Sequence, residues 1–171
     1  MFLLISGAND SGKSAFAESL AARLPNRRVY LATMRPQTEE NRIRIARHRR
    51  QRAALNFVTI EAPFSVGELD IQKTDTVLLE DVSHLLANVM FETEREAASV
   101  LPDILALAGR CRHLIAVTIS GLTEENYHGE TAEYIRALND LNASLAQRAD
   151  GVAEMTDGVP FARKGDWHGM V

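Results

Sequence analysis

The sequence predicts an α/β fold, a mainly parallel sheet flanked by helices, built around a phosphate-binding loop. Three observations carry this. Gly7-Ala8-Asn9-Asp10-Ser11-Gly12-Lys13-Ser14 satisfies the pattern G-x-x-x-x-G-K-S/T and stands between an apolar run and a helical pattern, the context such a loop requires. Short apolar runs at Phe2 to Ile5, Thr76 to Glu80 and His113 to Ile119 suit strands buried on both faces. Helical stretches alternate with them, as in right-handed βαβ crossovers.

The first strand is Phe2-Leu3-Leu4-Ile5, closed by Ser6-Gly7. Ser14 to Leu24 follows as a helix, with Phe16, Leu20 and Leu24 at four-residue spacing, and Pro25-Asn26 ends it. Arg28 to Ala32 is the second strand, and Thr38 to Arg52 a helix capped by Thr38 with Glu39 and Glu40 in its first turn. Phe57 to Ile60 is a brief strand and Thr76 to Glu80 a clear buried one.

From Asp81 to Arg110 the pattern predicts two helices meeting near Phe91 to Thr93, with Pro102 bending or opening a turn of the second. His113 to Ile119 is a strand, Ser120 to Gly129 a polar loop, and Thr131 to Arg148 a long helix with Tyr134, Leu138, Leu141 and Leu145 on one face. Gly151 to Met155 and Val159 to Ala162 predict a β-hairpin turning at Asp157-Gly158, followed by a loose tail over Gly165 to Val171.

Composition limits the functional classes. A chain of 171 residues, 46% of them hydrophobic, suits one domain over 1–171, and no repeat or low-complexity linker divides it. The formal charge of -4 disfavours general wrapping of nucleic acid. No apolar run approaches the roughly 20 residues of a membrane span and no leader pattern is present, so a cytoplasmic location is expected. The single Cys111 precludes an internal disulfide, and His84, His113, His128 and His168 lack metal-ligand spacing.

In the loop, glycine at 7 and 12 permits backbone paths that a Cβ would block, so the N–H groups of Asn9, Asp10, Ser11 and their neighbours can turn toward phosphate oxygens. The helix that starts near Lys13 adds free N–H groups and a positive dipole end. Lys13 is expected to reach the β- and γ-phosphates and the Ser14 hydroxyl to ligate Mg²⁺. A carboxylate at the end of a neighbouring strand completes such a site, and Thr76-Val77-Leu78-Leu79-Glu80-Asp81 offers two. Glu80, at the strand's end, is expected to serve the metal and Asp81 to cap the next helix.

Between Arg42 and Arg52 lie six arginines and one histidine. Arg44 and His48 are four residues apart, hence on one helical face. Guanidinium groups bind phosphates in bidentate fashion, and His48 among them can attack an α-phosphate to form a phosphoramidate. A solvated charged face is the alternative for such a run.

The ordered set GANDSGKS, VYLAT, RIRIARHRR, VLLEDVSHLLANVMF and LNASLAQRADGVAEMTDGVPFARKG resembles the adenosylcobinamide kinase/adenosylcobinamide-phosphate guanylyltransferase family of cobalamin biosynthesis over nearly the whole chain. The resemblance implies a RecA-like P-loop fold, a homotrimer, NTP-dependent phosphorylation of adenosylcobinamide and GMP transfer from GTP through a guanylylated histidine. By position it makes His48 the covalent GMP carrier, with Arg44 one turn before it. Gly7, Gly12, Lys13 and Ser14 become phosphate ligands and Glu80 the acidic end of the Walker-B strand. Thr33, closing VYLAT, and Asn88 also fall on family-like positions, and Thr33 is thereby expected with Arg44 among the nucleotide contacts.

Two segments depart from the family pattern. Val117-Thr118-Ile119-Ser120-Gly121-Leu122-Thr123-Glu124-Glu125-Asn126 replaces V-T-N-E-V-G and G-x-V-P, and Arg52-Ala53-Ala54-Leu55-Asn56-Phe57 replaces R-P-x-x-W, keeping an aromatic but not the proline. Two alternatives therefore stand beside the bifunctional enzyme that uses GTP or ATP: a nucleotide-binding regulatory module, and another small-molecule kinase with a changed acceptor site.

Overall fold

Among the described residues seven strands form one sheet: β1 (Phe2–Gly7), β2 (Arg28–Ala32), β3 (Phe57–Glu61), β4 (Thr76–Glu80), β5 (His113–Ile119), β6 (Gly151–Thr156) and β7 (Val159–Lys164). The computed structural model describes residues 1–165; His168 and positions 166–171 of the expected tail lie outside the described residues. Five helices connect the strands: α1 (Lys13–Arg23), α2 (Glu39–Arg52), α3 (Val82–Glu92), α4 (Val100–Arg110) and α5 (Glu130–Arg148). No described helix is long and apolar enough to cross a membrane.

The strand order is β3-β2-β4-β5-β1-β6-β7. All neighbours pair in parallel except β6 and β7, which form the predicted hairpin. Asp157 (φ 49°) and Gly158 (φ 80°) take the left-handed conformations that a tight hairpin turn demands. The loop-bearing β1 lies centrally, and β5 separates it from β4, the strand that ends in Glu80. This mainly parallel sheet, with the phosphate-loop pattern after its central strand, is the RecA-like P-loop architecture.

Alternation along the strands builds two cores. Leu4, Leu31, Leu79, Leu114 and Ala116 face one side, where Leu85, Leu86, Ile104, Leu107, Leu138 and Leu145 of α3, α4 and α5 cover them. Leu3, Ile5, Tyr30, Leu78, Ile115 and Val117 face the other, against Ala17, Leu20 and Ala21 of α1. No residue of α2 joins either cluster. Between α3 and α4 the chain makes a 3-10 turn at Ala97–Ser99, and Pro102 sits in the first turn of α4, where no intrahelical N–H is lost.

The register sets Ala32 opposite Glu80 and Gly7 opposite Ile119, so the strand ends open at one edge of the sheet. Ligands of open α/β sheets bind at that edge.

Candidate active site

β1 delivers the phosphate loop to the sheet's carboxyl edge. The backbone turns through left-handed conformations at Asp10 (φ 56°) and Gly12 (φ 87°), and Gly12 heads α1 with no side-chain cap. The first N–H groups of α1 are therefore left for a ligand. Gly7 acts from behind the loop: a Cβ there would fall 2.8 Å from the Met155 carbonyl oxygen, which is main chain of β6 and cannot yield. Lys13 is buried, and its Nζ donates to the Ala8 carbonyl at 2.9 Å. Burial lowers the Lys13 pKa, with Asp81 and Glu80 opposing the shift.

At the end of β4, the Ser14 hydroxyl donates to Glu80 Oε1 at 2.5 Å. Glu80 Oε2 is buried with no hydrogen-bond partner among the described residues. Burial, with the Asp81 charge beside it, pushes the Glu80 carboxyl up to about 8. Asp81 behaves oppositely. Its burial alone would raise it, but the His84 charge and the hydrogen bonds from His84 and Ser83 hold it below the usual carboxylate range. It caps α3 as expected, its Oδ1 accepting from the His84 N–H at 2.7 Å and the Ser83 hydroxyl at 2.6 Å. The same oxygen lies 3.0 Å from His84 Nδ1 and raises the His84 pKa.

Thr33, expected among the nucleotide contacts, is 0% exposed and has no surface to offer a ligand. Its hydroxyl takes a bond from the Asp81 N–H at 2.7 Å and lies 2.8 Å from the Asp81 carbonyl and 3.0 Å from that of Glu80. Thr33 therefore holds the strand end that carries Glu80. Asn88 braces Thr33 in turn, its Nδ2 donating to the carbonyls of Thr33 and Pro63, each at 2.8 Å.

The facing wall of the cleft is α2, capped by Thr38 as the sequence predicts. Arg44, Arg47, His48 and Gln51, at i, i+3, i+4 and i+7, line the cleft together with the segment from Asp10 to Ala15. Arg47 lies 3.7 Å from Asp10. His48 is buried, and its Nδ1 has no partner among the described residues. Burial, then the charges of Arg47, Arg44 and Arg52, lower its pKa to about 4, which leaves the imidazole uncharged at neutral pH. On its other side His48 borders a pocket shared with Tyr30, Arg52, Glu80 and Asp81.

The fold thus brings Asp10, Ser11, Gly12, Lys13, Ser14, Arg44 and His48 to one cleft, with Glu80 bonded to Ser14. Gly7 and Thr33 stand behind it and Asn9 is exposed at the loop tip. Arg47 and Gln51 join unforeseen, although the helical stripe through Arg44 and His48 points to both. His84, set among the ordinary histidines, is bonded to Asp81 beside Glu80. Glu18 is a buried carboxylate one turn beyond Ser14, and burial raises its pKa to about 7.

The arrangement offers N–H donors and a cation for a polyphosphate, two oxygens of the kind hard divalent cations take, and an uncharged imidazole among arginines. A family model described as Cobinamide kinase / cobinamide phosphate guanyltransferase matches residues 3–162. The bifunctional adenosylcobalamin biosynthesis protein CobP of Pseudomonas aeruginosa is 28% identical over 173 residues, spanning 95% of this chain and 97% of that protein. The bifunctional adenosylcobalamin biosynthesis protein CobU of Salmonella typhimurium is 26% identical over 181 residues, spanning 93% and 97%. Among solved structures, an ATPase from the type III secretion system of pathogenic bacteria overlays with a TM-score of 0.49 at 11% identity, and this chain spans 56% of its length.

Proposed function

We propose a two-step activity for this chain, which belongs to the cobinamide kinase / cobinamide phosphate guanyltransferase family: it phosphorylates a cobinamide and then joins GMP to that phosphate. The observation that carries the second step is His48, buried and uncharged beside Arg44 and Arg47, in the cleft that faces the phosphate loop.

In the kinase half-reaction the loop N–H groups and Lys13 hold the triphosphate, and Lys13 neutralises charge as the acceptor hydroxyl oxygen bonds the γ-phosphorus, the bond to the β,γ-bridging oxygen breaks, the nucleoside diphosphate leaves and the hydroxyl proton passes to solvent. Mg²⁺ would be held by Ser14 and Glu80 and would neutralise phosphate charge there. The donors suit it, since Glu80 Oε2 is a buried oxygen with no other partner among the described residues.

In the guanylyltransferase half-reaction, a ring nitrogen of His48 attacks the α-phosphorus of GTP. A P–N bond forms, the bond from that phosphorus to the bridging oxygen breaks, and pyrophosphate leaves. An oxygen of the acceptor's phosphate then attacks the same phosphorus, the P–N bond breaks, and His48 is regenerated. Arg44 and Arg47 stabilise the charge on the transferred phosphate. Adenosylcobinamide as the acceptor and a homotrimer complete the proposal on the strength of the family resemblance, a cytoplasmic location and a single domain over 1–171 on the strength of apolar patterning and length.

The test uses purified protein with Mg²⁺, adenosylcobinamide and ATP or GTP. Phosphorylated acceptor should appear first and a GDP-linked corrinoid after it, the second product requiring GTP. Failure to phosphorylate the corrinoid with either nucleotide contradicts the acceptor assignment.

A further inference from the structure

Helix α2 carries the proposed nucleophile, yet apolar packing does little to hold it. Of its 14 residues only His48 and Arg52 are buried, and none belongs to either apolar cluster. At His48 no bond at Nδ1 fixes the ring, since that nitrogen has no partner among the described residues. Where a histidine must present one ring nitrogen, a hydrogen bond at the other commonly fixes the ring. Here the position of the helix has to do that.

Arg52 is one turn beyond His48 and leaves α2 on the same face. Its guanidinium carbon stands 3.8 Å from the centroid of the Tyr30 ring, and its Nη2 donates to the Thr59 hydroxyl at 3.3 Å. Tyr30 is a fixed platform: it is buried in β2 and meets Phe57 of β3 edge-on at 5.9 Å. Glu18 of α1 is buried as well, its Oε1 has no partner among the described residues, and the Arg52 charge lowers its otherwise raised pKa. Strands β2 and β3 therefore both hold the one arginine.

We propose that Arg52 is the positioning residue of guanylyl transfer: seated on the Tyr30 ring and bonded to Thr59, it fixes α2 so that His48 presents to the phosphate loop. This rests on the guanylyl-histidine reading and adds a residue that acts through α2 rather than on the nucleotide. A planar guanidinium is required, because a lysine keeps the charge but loses the fork and the flat stack.

The test is single-turnover guanylylation with α-labelled GTP on wild type, Arg52→Met and Arg52→Lys, alongside nucleotide affinity, thermal unfolding and the kinase half-reaction. The saturating rate should fall about 10²-fold in Arg52→Met, as for misplaced reacting groups, and clearly in Arg52→Lys. Nucleotide affinity and corrinoid phosphorylation should stay near wild type. Arg52→Lys retains the stem and charge, so it guards against a methionine variant that fails to fold. Full-rate labelling of Arg52→Lys overturns the proposal, as does a loss seen only in affinity with the saturating rate intact, which would make Arg52 a nucleotide ligand. If wild type itself takes no label, the guanylyl-histidine reading falls and this proposal with it; a labelled wild type beside a full-rate lysine variant refutes the positioning role alone.

Discussion

The phosphate-loop wall of the cleft is main chain anchored at the centre of the sheet, whereas the facing wall is a helix of 14 residues with two of them buried. On the first wall, binding geometry is set by backbone turns at Asp10 and Gly12 and by the β6 main chain behind Gly7. On the second, everything depends on side chains: Arg44, Arg47 and His48 toward the cleft, Arg52 toward the sheet. A backbone wall tolerates side-chain change, but its glycines and lysine serve every nucleotide reaction. A side-chain wall can serve one reaction alone, and its residues can be removed one at a time. The two half-reactions should accordingly separate by wall.

The largest effect is expected from His48→Asn, which should lower GMP transfer by at least about 10³-fold while corrinoid phosphorylation continues. Parallel assays of the two half-reactions read this directly, and equal loss of both would erase the distinction between the walls. Lys13→Met should lower both half-reactions by about 10²-fold or more, as expected when a charged donor to the transferred phosphate is lost. A Lys13→Met enzyme that still guanylylates at the wild-type rate would place the α-phosphate outside the loop's reach.

The pH profile sharpens the side-chain wall. His48 has a folded-state pKa below its unfolded value, so its uncharged form persists as pH falls and is lost only through about 4. The kcat/KM for guanylylation at pH 5.5 should therefore stay near its value at pH 7.5, where an imidazole of ordinary pKa would have lost about tenfold. The same depression makes His48 a source of acid sensitivity: below about pH 6.5 the unfolded chain takes up a proton that the folded one resists, and stability falls.

Thr33→Val tests the main-chain wall from behind. Removing the hydroxyl leaves the buried Asp81 N–H without its partner, which should cost about 1–3 kcal/mol of stability by denaturant unfolding. The smallest effect belongs to Asp10→Asn: its contact with Arg47 is exposed on both sides, so stability should change by no more than about 1 kcal/mol.

The main-chain wall was legible in the sequence, because a phosphate loop is local: its glycines, lysine and serine are consecutive, and the strand before and helix after it are written in the same stretch. The strands, helices and hairpin followed for a similar reason, through apolar runs and a turn at Asp157-Gly158. The side-chain wall was half legible. Helical spacing joined Arg44 to His48 and extends to Arg47 and Gln51, but no spacing shows that Arg52 meets Tyr30, since that contact depends on where α2 lies over β2. The bonding of Thr33 is hidden for the same reason: a hydroxyl at a strand end reads as available, and only the pairing of β2 with β4 brings it to the Glu80 and Asp81 main chain. His84 and Glu18 are single residues whose importance is set wholly by neighbours distant in sequence or across a helix cap.

The most direct measurement of the central claim is peptide mass spectrometry of the protein after incubation with GTP and Mg²⁺, digested under alkaline conditions that preserve a phosphoramidate. The account predicts a mass increase of one GMP on the peptide that contains His48, absent after ATP and absent from His48→Asn. A GMP adduct on another residue, or an unmodified protein that nonetheless forms the GDP-linked corrinoid, would contradict it.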